Sequence, residues 1–135
     1  MKFNKLIPEL TVSDMKKSIH FYTKIIGFKI EYRREKFAFL SFQGTQIMID
    51  RCKGRWKTGK LEYPFGRGIN FQIEVDNIIP IIKSLKNNKY PIKMEPKDNW
   101  YRKNNLLMGN REFLVMDPDG YLLRFTQDLG NKPAK

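Results

Sequence analysis

The chain has 135 residues, 41% of them hydrophobic and 13% aromatic, enough apolar surface for a buried core and too much for global disorder. No apolar run approaches the length needed to span a bilayer, and "MKFNKLIPEL" has neither the apolar stretch nor the small-residue cleavage site of a signal peptide. Twenty-six Lys plus Arg against 14 Asp plus Glu give a net charge of +12, which suits either a polyanionic partner or a solvated lysine-rich surface.

In chain order, "KLIPELTV" (5–12) reads as a short strand. Ser13 is a natural N-cap for a helix in which Met15, Ile19, Tyr22 and Ile26 recur at helical spacing and which Gly27 ends. Strands follow at 28–35, 36–42 and 45–50, the last two joined around Gln43-Gly44. Cys52 is alone, which excludes an internal disulfide and suits a reducing cytoplasm. One Cys and one His are too few for a structural zinc site. The segment 51–60, "RCKGRWKTGK", is the densest basic cluster and surrounds Trp56. Such a loop could stack on a nucleobase, yet no nucleic-acid-binding motif accompanies it.

The second half repeats the order. "GINFQIEV" (68–75) is a strand, Asp76 a plausible cap, and 77–88 a helix with Pro80 allowed only near its start. A strand is expected at 90–95, at a sheet edge because of Pro91. A long loop (96–110) and strands 111–116 and 121–126 around the "DPDG" turn complete the half, followed by a C-terminal tail (128–135) whose "NKPAK" reads as a frayed end. "IPELTV" (7–12) falls on "NFQIEV" (70–75) at an offset of 63, and "GTQIMI" (44–49) falls on "GYLLRF" (120–125). The reading is an α+β chain, a single domain over 1–135 made of two tandem βαβββ modules at about 5–51 and 67–127, with a linker at 52–66.

The stretches "LTVSDMKKSIHFYTKIIGF" (10–28), "FQIEVDN" (71–77) and "REFLVMDPDGYLLRFTQ" (111–127) resemble the vicinal-oxygen-chelate superfamily of glyoxalases, extradiol dioxygenases and bleomycin-resistance proteins. "KDNWY" (97–101) ahead of "REFLVMDPDG" makes the bleomycin-resistance branch the nearest likeness. The resemblance implies two modules whose mixed sheets form a concave face, and homodimers whose ligand crevices are shared between chains. It also implies metal ligands, in the enzymes, at Ile7, Met48, Asn70 and Arg124. Hard divalent ions take carboxylate oxygens or imidazole nitrogens. Here they would meet a hydrocarbon, a thioether, an amide and a permanent cation, so no metal or other cofactor and no catalytic residues are expected.

Strand alternation nevertheless makes one face polar: Glu9 and Thr11 beside Ile7, Gln72 and Glu74 beside Asn70, Gln46 and Asp50 beside Met48. Arg124 would pair there with Glu9, Glu74 or Asp50. In the resembled family the crevice is edged by segments that here carry Tyr32, Phe37, Phe39, Trp56, Trp100 and Tyr101. Flat walls with a few polar anchors suit planar ligands. The expected ligand-binding set is therefore these six aromatics with Asp50 and Arg124. It serves a cytoplasmic protein that sequesters an aromatic or glycopeptide-type molecule, with nucleic acid and membrane not expected as partners. The alternative is a metal-dependent lyase, dioxygenase or thiol transferase of the same superfamily, and a nucleic-acid-binding or regulatory protein using the basic 51–60 loop ranks after it.

Overall fold

Two four-stranded mixed sheets of the same order carry the chain in a computed structural model, which describes residues 1–51 and 56–134. Cys52 and two members of the basic 51–60 cluster, Lys53 and Arg55, lie outside the described residues, as does part of the expected linker. The first unit comprises Met1–Arg67 with Asp117–Tyr121, and the second comprises Gly68–Met116 with Leu122–Lys135.

In the first unit β1 (Glu9–Thr11) leads into helix α1 (Met15–Ile19), which continues as a π-helix over His20–Ile26. Gly27, at φ 116°, ends it in the left-handed region where a Cβ is costly. β2 (Lys29–Arg34), β3 (Phe37–Phe42) and β4 (Thr45–Asp50) follow. The sheet runs β1-β4-β3-β2, with β1 parallel to β4 and the remaining pairs antiparallel. Alternation sends Leu10, Val12, Ile47 and Ile49 to one face, where they are buried together with Phe21, Tyr22, Ile25 and Ile26 from the helical segment. Each such side chain contributes about 1.5–3 kcal/mol by leaving water.

The second unit has β5 (Asn70–Glu74), α2 (Ile79–Asn87), β6 (Met94–Lys103), β7 (Leu106–Met116) and β8 (Leu122–Pro133), in the order β5-β8-β7-β6. Its registers repeat those of the first: Glu9 pairs with Met48, and Gln72 with Arg124. Met48 and Arg124 are therefore equivalent positions, as the internal repeat implies. Ile73, Val75, Ile81, Ile82, Leu85, Phe113, Leu123 and Phe125 form its buried layer.

Several boundaries differ from the sequence reading. The stretch 96–110 is a hairpin, with Trp100 opposite Gly109 and Tyr101 opposite Met108. Asn104 makes its turn at φ 55°, a conformation asparagine tolerates. The tail is not frayed as far as Pro133, because β8 pairs Lys132 with Leu107 and Gly130 with Gly109. These residues are mostly exposed on both faces, so no apolar alternation announces them. Ser13 does not cap α1: its hydroxyl donates to Asp119 Oδ1 (2.5 Å), while Asp14 caps by accepting from Lys17 N (3.1 Å). The N-cap position of α2 is Ile78 rather than Asp76, and Asn77 Oδ1 accepts from Ile79 N and Gln127 Oε1 from Ile78 N.

The "DPDG" turn packs into the first unit. Asp119 also accepts from Ser13 N (3.0 Å), Tyr22 donates its hydroxyl to Asp117 (2.6 Å), and Tyr121 donates to the Thr11 carbonyl (2.9 Å). No helix among the described residues is long and apolar enough to cross a membrane.

Candidate ligand-binding site

The face of the first sheet opposite the buried layer carries side chains at alternate positions of all four strands. Register sets Phe37 opposite Asp50, Phe39 opposite Met48, and Arg34 opposite Phe37. Tyr32 reaches this face through an irregularity in β2. Ile30 pairs with Leu40 but Tyr32 pairs with Phe39, so a bulge at Glu31 shifts the strand by one residue. Without it Tyr32 would alternate to the buried side. The Tyr32 ring stacks on Phe39 at 5.3 Å and lies 5.8 Å from Phe37.

Over this face sits a cavity of about 870 Å³ whose lining includes Glu9, Tyr32, Phe37, Met48, Asp50 and Trp56. Arg34 and Arg51 also border it. The Arg34 guanidinium lies 4.2 Å above the Phe37 ring, an attractive cation–π arrangement. Asp50 is only 3% exposed. The hydrogen bond between Glu9 and Asp50, then burial, then the Asp50 charge push the Glu9 pKa from 4.5 up to about 7, against a smaller lowering by Arg34.

Four of the eight residues expected at a ligand site, Tyr32, Phe37, Asp50 and Trp56, thus meet at one cavity. Phe39 does not line it: the ring is 1% exposed, under Tyr32 and the edge of Phe3 at 5.3 Å. Trp100, Tyr101 and Arg124 belong to the second unit. Trp100 and Tyr101 are neighbours on β6, so alternation sends them to opposite faces. Trp100 covers Gly109, where a Cβ would come within 2.5 Å of the indole, and takes the Lys132 ammonium over its ring at 3.9 Å. Tyr101 borders a smaller cavity of about 250 Å³ with Gln72, Glu74, Met108, Asn110 and Asp128.

Arg124 pairs with none of the three carboxylates expected for it. Its Nε donates to Asn70 Oδ1 (3.0 Å), its Nη2 to Gln72 Oε1 (2.9 Å), and its Nη1 lies 3.6 Å from Glu112 Oε2. Glu112 is buried on the neighbouring strand β7 and also accepts from Asn99 (3.2 Å). The four ligand positions do not fit a divalent ion. Ile7 and Arg124 offer no donor, and the Asn70 oxygen is held by Arg124. His20 is exposed on the helix. Among the described residues no group of three or more His, Cys, Asp or Glu comes together to hold one.

Glu9, Met48 and Arg34 are cavity residues absent from the expected set. The parity of Glu9 and Met48 with Asp50 was a usable signal; for Arg34 there was none, since its face depends on the bulge.

The sequence profile of the Glyoxalase/Bleomycin resistance protein/Dioxygenase superfamily matches residues 4–125. Proteins called bleomycin resistance protein from Geobacillus stearothermophilus and Staphylococcus aureus are 28% identical over 137 residues, spanning 91% of this chain and 96% of theirs. Among solved structures, TioX from Micromonospora sp. ML1 aligns with a TM-score of 0.73 at 18% identity, over 94% of this chain and 100% of its own. The bleomycin resistance determinant encoded on transposon Tn5 aligns at 0.59 and 18%, over 94% and 99%. At these identities the structural likeness speaks for the fold.

Proposed function

The chain belongs to the glyoxalase/bleomycin resistance protein/dioxygenase superfamily, and we propose that it is a non-enzymatic member that sequesters a flat aromatic or glycopeptide-type small molecule. The observation that carries this reading is the cavity of about 870 Å³ walled by Tyr32, Phe37 and Trp56. It falls within the range of roughly 300–1,000 Å³ that holds drug-sized ligands. Aromatic walls favour a planar group over a flexible aliphatic one, through stacking and the area they remove from water. The side chains at the superfamily's metal positions do not supply the donors that its enzymes need, which favours binding over turnover. The likeness to bleomycin resistance proteins points the same way. The working form is a cytoplasmic homodimer with crevices shared between chains, and sedimentation equilibrium tests the dimer.

The ligand reading is tested by titrating the dialysed chain with metal-free bleomycin and following tryptophan fluorescence. Saturable, sub-micromolar quenching is expected in the wild type and in Trp100→Phe, and its loss in Trp56→Phe. Phe37→Ala should weaken binding by about tenfold, the value of one aromatic contact of roughly 1.4 kcal/mol. Absence of binding at high micromolar drug rejects bleomycin as the ligand. Undiminished quenching in Trp56→Phe rejects the cavity.

A further inference from the structure

The cavity lining balances Glu9, Glu35 and Asp50 against Arg34, Lys36 and Arg51, although the chain as a whole carries +12. β1 and β4 are parallel neighbours with Thr11 opposite Asp50 and Glu9 opposite Met48, so Glu9 and Asp50 are diagonal on one face. Both line the cavity, and the Asp50 carboxyl holds the neighbouring Glu9 carboxyl protonated above the usual carboxylate range. Among the described residues, the other charged groups lining the cavity with Glu9 are Arg34 from β2, Glu35 and Lys36 from the turn after it, and Arg51 following β4. Arg34 is already seated over Phe37.

We propose that the Glu9–Asp50 pair is a proton–cation exchange site, which holds one proton in the ligand-free protein and releases it when a ligand's ammonium or amidinium group takes its place. The inference rests on the cavity being the ligand site. Two adjacent carboxylates cannot both ionise without cost, and that cost is relieved by a proton or by a ligand cation. A neutral or anionic ligand relieves nothing. The flat walls then take the aromatic part of the same molecule, with its cation directed at β1 and β4. The exchange breaks only an O–H bond, and the proton goes to solvent.

Arg34, Lys36 and Arg51 border the same cavity and oppose a ligand cation at contact range, whereas the rest of the surface charge is screened beyond about 8 Å at physiological ionic strength. It acts on approach, so added salt should speed association of a cationic ligand.

Glu9 titrates near pH 7, which sets the size of the effect. Affinity for a cation should rise about tenfold from pH 6 to pH 8, with about half a proton released per ligand at pH 7. The probes are 2-naphthylmethylamine and its uncharged analogue 2-naphthalenemethanol, titrated calorimetrically into the full chain in buffers of different ionisation heat. The amine should bind more tightly than the alcohol and release protons. In Glu9→Gln the release and the pH dependence should both vanish, with an unchanged far-ultraviolet circular dichroism spectrum. Equal binding of the two probes, or amine binding without proton release, overturns the exchange and leaves the ligand site standing. Failure of both probes and of metal-free bleomycin to bind at millimolar concentration overturns the site and the exchange together.

Discussion

Replacing Asp117 by Asn should flatten the pH dependence of stability, by an amount that follows from its surroundings. Asp117 is 2% exposed and accepts from the backbone N–H groups of Asp119 (2.9 Å) and Tyr121 (3.0 Å) and from the Tyr22 hydroxyl (2.6 Å). Burial outweighs these three bonds and pushes its pKa from 3.8 up to about 6. Between those two values the folded protein holds a proton that the unfolded chain has lost. Stability therefore falls by about 1.4 kcal/mol per pH unit as pH rises across that window, about 3 kcal/mol in all. Above pH 6 the whole cost of the buried charge is present, and below about pH 4 it has gone.

In Asp117→Asn the Oδ1 atom can keep both backbone bonds and the Nδ2 atom can donate to the Tyr22 hydroxyl. The pKa of about 6 is already net of these bonds, so the variant should behave like protonated Asp117. It should exceed wild type by up to about 3 kcal/mol at pH 7, and the two should come within about 1 kcal/mol of each other at pH 4. Urea unfolding of both proteins in parallel from pH 4 to pH 7 reads the difference, and groups common to both cancel. A difference that stays constant over this range would refute the reasoning, because Asp117 would then ionise alike in the folded and unfolded chains.

Gly120 sits in the same turn at φ 94°, and a Cβ there would lie 2.5 Å from the Pro64 Cα. Gly120→Ala should cost about 2 kcal/mol or more, seen as a melting temperature lower by roughly 6–10 °C; an unchanged midpoint would show that the turn yields freely. Deleting residues 129–135 removes the β8 partners of Leu107, Met108 and Gly109. Amide exchange across 98–110 should then accelerate by orders of magnitude while the β5–β8 pairing through Thr126 keeps its protection. Uniform acceleration throughout the second unit would instead mark the extension as part of its core.

The duplicated architecture was legible because burial imposes short periods on a sequence. Leu10 and Val12, and Ile73 and Val75, alternate with polar residues, and Gly27 stands where a helix must stop. The equivalence of Met48 and Arg124 followed from the repeat alone. So did the polar character of the face bearing Glu9 and Asp50, since parity within a strand is set by the pleat. Where both faces of a strand meet water, as over 97–103 and 128–133, that pressure is absent and the strands left no trace.

Tertiary structure decided which of the same-face residues meet. The bulge at Glu31 brings Tyr32 beside Phe37 although simple alternation would bury it elsewhere. Ser13 bonds to Asp119 across 106 residues of sequence rather than to its own helix. Trp100 and Tyr101 are adjacent in sequence and therefore separated in space, while Phe3 covers Phe39. Arg124 found Glu112 on an adjacent strand because only strand order brings those side chains within reach. Periodicity records which face a residue occupies; the neighbour across that face is fixed by register and strand order, which no local pattern carries.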